Sequence, residues 1–273
     1  MLIMTYYFTS DWHLGHSNII KYCRRPFMTS EESSLLDLAY KKIIPIKDFH
    51  ISQESTDRMT SAILDNTNAV VKRDDVLVIA GDFCWLPRNK NENKINVIKS
   101  YINKLNCKNI FIICGNHDDR KILIASGCFK GVFEQYTFNV NGQKIFVSHY
   151  PCRSWESSFY GAWHAYGHVH NGLWKEDNGM LSTYQQIVYE EEFSKIIGKL
   201  AISEQEKKEV ISKLLTSAAL TNGIDYSIDV GVDNVVEGKL WGTPWAFDEI
   251  KCHFVAKQQK WEERKRVLSE IGF

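Results

Sequence analysis

The chain has 273 residues, enough for one large domain or two small ones with a sizeable hydrophobic core. Its 33 Lys plus Arg balance 33 Asp plus Glu, so no net field gathers polyanions or lipid headgroups, and indiscriminate coating of nucleic acid is excluded. Hydrophobic residues at 44% and charged residues at 24% are ordinary globular usage, and no apolar run approaches the ~20 residues of a membrane span.

The opening Met1 to Phe8 lacks the basic start and small-residue cleavage site of a secretory signal. Seven cysteines (Cys23, Cys84, Cys107, Cys114, Cys128, Cys152, Cys252) are odd in number, scattered and never paired as Cys-x-x-Cys. Both features lead us to expect a cytoplasmic protein with reduced thiols.

Short apolar runs predict strands at Leu2 to Phe8, Val76 to Ala80, Ile110 to Cys114, Ile145 to Val147 and Ala162 to Tyr166. Ile95, Ile98, Ile102 and Leu105 fall three or four apart and predict a helix over Asn93 to Leu105. Strand, helix and strand in succession imply an α/β core. Asn141-Gly142, set between Phe138-Asn139-Val140 and Gln143 to Val147, suits a two-residue hairpin, so the second half of the sheet system contains antiparallel pairing.

Two segments interrupt this plan. The stretch from Glu31 to Thr56 has no clean period and is taken as an insertion. The stretch from Tyr184 to Ala218 reads as two amphipathic helices, the second opened by a Ser203/Glu206 capping box. So small a hairpin must pack on the core, on a twin subunit or over the active site. The final Lys257 to Gly272 reads as a charged helix. The expected organisation is one domain over 1–273, with insertions at about 31–56 and 175–222 and a C-terminal helix at about 257–272.

Histidine and carboxylate residues are concentrated just past the predicted strands: Asp11-Trp12-His13, Gly81-Asp82, Gly115-Asn116-His117-Asp118, Ser148-His149 and Gly167-His168-Val169-His170. Ligands of α/β sheets sit beyond the carboxyl ends of the strands, so these loops could converge on one crevice. Each fragment alone is common by chance, whereas the ordered set is not. Mixed carboxylate, amide and imidazole donors without thiolate suit borderline divalent ions rather than a structural zinc knot. Seven such groups are too many for one ion and about right for two, which would need a shared carboxylate between them.

In this order the blocks resemble the calcineurin-like metallophosphoesterases. Phe8 to Ile20, Tyr22 to Phe27, Ser148-His149-Tyr150-Pro151 and Asp229-Val230-Gly231-Val232-Asp233-Asn234 are similar to a small bacterial and phage branch of that superfamily. The resemblance implies a four-layer α/β/β/α sandwich with two mixed β-sheets, here carrying a helical insertion. It also implies two divalent ions, Mn²⁺ foremost, with Fe²⁺, Ni²⁺, Zn²⁺ or Mg²⁺ as alternatives. Asp11, His13 and His170 would hold one ion, Asn116, His149 and His168 the other, with Asp82 bridging. A shared hydroxide would attack phosphorus in line, and His117 would serve the leaving oxygen. Asp118 either orients that imidazole or caps the following helix.

Many members follow Gly-Asp with x-x-Asp-Arg, whereas Trp85 and Leu86 stand there in this chain. Arg153 and Arg25 are candidate replacements for phosphate contact, or else salt-bridge partners; His16 and Asn18 are candidates to line the pocket. Tyr22, Trp155, Tyr160 and Trp163 could stack on a nucleobase or pack beneath the loops.

The expected function is hydrolysis of phosphodiester or phosphomonoester bonds in a nucleotide or other small molecule. The alternatives are a nuclease using the same site and, from another class, a catalytically silent interaction scaffold. The expected partners are the small phosphate ester, with nucleic acid as the alternative substrate, no membrane, and a second copy through the 184–218 helices.

Overall fold

The computed structural model describes residues 4–87, 91–171, 176–177, 181–182, 191–222 and 225–270. They fall into two compact units, Met1–His170 with Ile228–Phe247, and Asn171–Ser227 with Asp248–Phe273.

The first unit contains two mixed sheets. Strands β1 (Tyr6–Thr9), β2 (Val76–Ile79), β3 (Asn109–Ile113) and β4 (Gly131–Phe133) run parallel, with the short β11 (Trp245–Ala246) antiparallel on the β1 edge. The β2 residues are buried throughout, as its unbroken apolar run requires of a central parallel strand. The second sheet has the order β10 (Ser227–Asp229), β7 (Trp163–Tyr166), β6 (Gln143–Ser148) and β5 (Gln135–Val140). Strands β5 and β6 form the expected hairpin, turning on Asn141 and Gly142 with φ of 52° and 86°. The sheets meet through Phe138 of β5, whose ring lies edge-on to Tyr6, Phe8 and Phe111 at 6.3, 6.4 and 5.6 Å. The expected mixed α/β fold with two mixed sheets is what the chain adopts.

The other face of the first sheet is covered by helices α1 (Ser17–Tyr22), α2 (Ser30–Tyr40), α3 (Gln53–Val70), α4 (Asn91–Ile102) and α5 (Arg120–Ser126). Met59 and Ile63 of α3, Ile98 and Ile102 of α4 and Ile122 of α5 join Leu77, Ile79, Ile110 and Ile112 in one core. The 31–56 stretch, where no period was legible, holds most of α2, a 3₁₀ turn at Ile46–Asp48 and the start of α3. Glu32 fastens it. One carboxylate oxygen accepts from Ser52 N at 2.6 Å, and the other from Ser55 Oγ at 2.7 Å and Thr29 N at 2.8 Å, the last completing a capping box. Leu36, Phe49 and Ile51 then bury themselves in the core. One clasp and three apolar anchors order the segment without helical periodicity.

In the second unit β8 (Glu176–Asp177) pairs with β9 (Leu181–Ser182), and residues 191–197 form α6. Of the helical pair expected over 184–218, residues 184–190 lie outside the described residues. Helix α7 (Glu204–Asn222) begins at the expected capping box, with Glu206 N donating to Ser203 Oγ at 3.3 Å. The C-terminal helix α8 (Phe247–Glu270) starts well before the expected Lys257. Phe247, Ile250, Phe254 and Lys257 are buried at helical spacing, and Asp248 and Glu249 suit the positive end of its dipole. Among the described residues no helix is long and apolar enough to cross a membrane.

Candidate metal centre

All seven expected ligands lie in the first unit, immediately past strand ends: Asp11 and His13 after β1, Asp82 after β2, Asn116 after β3, His149 after β6, and His168 and His170 after β7. The chain bends sharply to aim them. Asp11, His13, Asp82, His168 and His170 all adopt positive φ, between 48° and 73°. Such backbone is costly for residues bearing a Cβ and persists only where surrounding bonds hold it.

Those bonds are present. Asp11 N–H donates to Gly81 O at 3.0 Å and His13 N–H to Asp82 O at 2.9 Å, lacing the first loop to the second. Asp118 laces the second to the third: its carboxylate accepts from Asp82 N (2.8 Å), Phe83 N (3.1 Å) and Gly115 N (2.9 Å). His168 N–H donates to both Asp11 carboxylate oxygens at 3.0 Å, joining the two sheets' loops. The last approach is so close that a Cβ on Gly167 would strike Ser10 Oγ and Asp11 Oδ2.

The donor atoms converge. Atoms of Asp11, His13 and His170 lie within 4.8 Å of one another, as do those of Asp11, Asp82 and His149. Asp82 Oδ2 stands between the groups, 3.4 Å from His13 Nε2 and 3.4 Å from His149 Nε2. Asn116 Oδ1 is 3.1 Å from His149 Nε2, and the exposed His168 ring lies 5.1 Å from that of His149.

Asp11 is buried, and burial pushes its carboxyl above the usual range. Burial opposes ionisation of Asp82 as well, yet the His149 hydrogen bond, the charges of His149 and His13 and the His117 N–H bring it down to about 2. Burial pushes His13 down to about 2, keeping its imidazole neutral. Its Nε2 is buried with no hydrogen-bond partner among the described residues. A neutral, orphaned imidazole nitrogen facing the Asp82 carboxylate fits a divalent cation, as does the hard-to-borderline donor set.

Two of the expected ligands have Nδ1 tied, which orients the ring and turns Nε2 toward the other donors. His149 Nδ1 donates to Ala80 O at 2.8 Å, and His170 Nδ1 donates to Asp233 Oδ2 at 2.7 Å. Burial opposes protonation of His170, but the Asp233 bond outweighs it and raises the imidazole to about 10. Asp233 stands in a stretch that resembles the family but for which the sequence alone predicts no role. The signal available was the second carboxylate of Asp229-Val230-Gly231-Val232-Asp233.

Arg25 is corrected. It is buried, and all five guanidinium N–H groups are engaged within the protein, by Asp233 Oδ1 (3.0 Å) and Oδ2 (2.8 Å), Asp11 O (2.7 Å), Trp12 O (3.1 Å) and Met59 Sδ (3.3 Å). None is left for a phosphate. Asp118 is corrected too: its carboxylate is committed to three backbone N–H groups rather than to the His117 ring, and α5 is capped by Asp119. His117 is exposed, its N–H held by Asp82 Oδ1 at 2.9 Å and its ring 5.2 Å from that of His13. Arg153 is exposed, with no hydrogen bond or ion pair to the described residues. Asn18 is half-buried on α1, and His16 stacks on Trp85. Of the proposed base-stacking aromatics, Trp163 is core packing against Phe247, and Trp155 Nε1 donates to Ala162 O; Tyr22 and Tyr160 are exposed.

Carboxylate, amide and imidazole donors gathered around Asp82 at the ends of two mixed sheets define a candidate centre for divalent metal ions. The chain belongs to the calcineurin-like phosphoesterase family, whose sequence profile matches residues 4–226. Membership places it among metal-dependent phosphoesterases. It is similar to an uncharacterised protein of Methanocaldococcus jannaschii, 29% identical over 164 residues, which are 60% of this chain and 68% of that protein. Among solved structures, a protein of unknown function from Aquifex aeolicus is 22% identical, with a TM-score of 0.39 over 62% of this chain and 80% of the other. The phosphoesterase Yfce of E. coli is 14% identical, with a TM-score of 0.28 over 64% of this chain and 74% of its own.

Proposed function

We propose that the chain hydrolyses phosphodiester or phosphomonoester bonds of a nucleotide or other small molecule, using two divalent cations. The observation that carries this reading is the place of Asp82, whose Oδ2 lies 3.4 Å from His13 Nε2 on one side and from His149 Nε2 on the other. Asp11, His13 and His170 would hold one ion and Asn116, His149 and His168 the other, with Asp82 shared. When bound, such a pair supplies acidified water near neutral pH and positive charge for the phosphate oxygens.

The chain's own residues supply the rest. His117 stands exposed beside His13 and serves as proton donor to the departing oxygen. Arg153, exposed and with no hydrogen bond or ion pair to the described residues, is a cation available to a phosphate. Asp118 and Arg25 hold the loops that carry the ligands, so their part is positional. We further propose that a second copy docks through the stretch expected to be helical over 184–218, of which α6 and α7 are described, and sedimentation of the full chain would read this directly.

The test is turnover of aryl phosphate mono- and diesters by purified protein loaded in turn with Mn²⁺, Ni²⁺, Zn²⁺ and Mg²⁺. Hydrolysis by the wild type and none by Asp82→Ala is the expected result. Rates no higher than those of Asp82→Ala with every metal would refute the reading.

A further inference from the structure

The first two ligand loops continue past Asp11, His13 and Asp82. Leu14 N–H donates to Phe83 O at 3.1 Å and Trp85 N–H to Leu14 O at 2.9 Å, a short parallel bridge. His16 N–H turns back to His13 O at 3.0 Å, and Gly15 N–H is held by Thr60 Oγ1 at 3.2 Å. These bonds set the His16 and Trp85 rings 4.1 Å apart and 12° from parallel. Their pose is thus fixed in advance, which lowers the ordering cost of anything that stacks on them.

The pair stands beside the proton donor. The His117 ring is 6.1 Å from that of Trp85 and 6.3 Å from that of His16. His16 covers one face of the indole, yet Trp85 remains 42% exposed. A large apolar ring held rigid and open at the rim of a polar centre is unfavourable in water and well suited to a planar partner. The His16 Nδ1 is buried and, among the described residues, has no hydrogen-bond partner. Where the resemblance leads one to expect an acidic side chain, this chain presents an aromatic one.

We infer that Trp85, backed by His16, is the stacking platform for a planar aromatic base carried on the leaving group, so that the substrates are nucleotides or similar base-bearing phosphate esters rather than purely aliphatic ones. The inference rests on the phosphoesterase reading above and narrows its substrate class. The platform lies on the leaving-group side because His117, its neighbour, is the group assigned to the departing oxygen.

Calorimetry on the Mn²⁺-loaded full chain tests it with two non-hydrolysable probes, the methylenephosphonate analogues of AMP and of ribose 5-phosphate, which differ only in the base. The base-bearing probe should bind roughly 5- to 100-fold more tightly, the range that stacking on one aromatic side chain supplies. Trp85→Ala should abolish that preference while leaving the ribose probe unchanged, and Trp85→Phe should keep most of it. Equal binding of the two probes by the wild type overturns the platform and needs no variant to fold. A preference that survives Trp85→Ala also overturns it. Binding of both probes that depends on Mn²⁺ but ignores the base leaves the phosphoesterase reading standing and removes the platform alone. Absence of binding by either probe removes both.

Discussion

Asp233 offers the sharpest perturbation, because one carboxylate serves two partners of different kinds. Oδ1 and Oδ2 take the Arg25 guanidinium at 3.0 and 2.8 Å, and Oδ2 also takes His170 Nδ1–H at 2.7 Å. In Asp233→Asn one oxygen replaces two, and the amide nitrogen points N–H groups at donors. Arg25, only 1% exposed, then keeps a buried charge without its counter-ion, a loss of about 3–5 kcal/mol. At roughly 2–4 °C per kcal/mol for a chain of this size, the melting temperature should fall by about 6–20 °C. His170 loses the acceptor that fixes its ring, and Mn²⁺ affinity should fall about 10- to 100-fold. The two effects separate in the double variant Arg25→Met/Asp233→Asn. Removing both charges should restore much of the stability, so the two losses do not add, while metal affinity stays low because His170 still lacks its carboxylate. Equilibrium dialysis with metal analysis and thermal melts on the three proteins read both quantities. Mn²⁺ affinity of Asp233→Asn within twofold of wild type would refute the positioning role, whatever the melt shows.

Further outcomes follow from other contacts. His117→Asn should slow esters with poor leaving groups about 10²- to 10⁴-fold and p-nitrophenyl esters far less, with metal content unchanged; equal slowing of both would remove His117 as proton donor. Glu32 is held at about 2 instead of 4.5, because its hydrogen bonds from Ser52, Ser55 and Thr29 outweigh burial. A carboxyl depressed in the folded state stabilises above its unfolded value and loses that contribution as pH falls toward its folded value. Glu32→Gln should therefore be less stable than wild type at pH 7 by at most about 3 kcal/mol, with the gap closing between pH 4.5 and about 2. Urea melts showing a pH-independent gap would contradict this. Four imidazoles must be neutral to ligate. Burial holds His13 at about 2, so it needs no proton removed, whereas His170, raised to about 10 by Asp233, must give up a proton as a cation enters; Mn²⁺ affinity should therefore rise with pH between about 6 and 9, and an affinity independent of pH across that window would refute ligation by His170. Phe138→Ala should cost about 3–5 kcal/mol in urea unfolding, since its ring bridges the two sheets, without altering metal stoichiometry.

Much of the fold was legible because buried parallel strands write their burial as unbroken apolar runs. Val76 to Ile79 has no polar residue, and its ends are found within one position of expectation. Asn141-Gly142 was equally legible, since few pairs tolerate two successive positive φ values. The 31–56 stretch was not, because the Glu32 clasp joins residues twenty and more positions apart and leaves no period behind. The start of α8 was hidden for a related reason. Its buried stripe includes Lys257, which donates to Asp225 O at 3.0 Å and Ser227 O at 3.1 Å, and a count of charges reads such a lysine as solvated.

The site divides along the same line. Ligands that follow a strand directly are found by position, because a strand end fixes where the next residues point. The residues that hold those ligands carry no such mark. In the sequence Arg25 reads as a free cation near the first block, and Asp118 as a neighbour of the His117 imidazole. Each is instead spent on backbone groups that let Asp11, His13 and Asp82 keep positive φ. Left-handed backbone at residues with a Cβ costs of order 1–3 kcal/mol apiece. A site that keeps five of them among its expected ligands needs donors and acceptors placed to hold them. Those donors and acceptors come from wherever the chain passes close, as Asp233 does 208 positions after Arg25. Sequence order therefore locates the groups that would meet the cations, and only the folded chain identifies the groups that keep them in place.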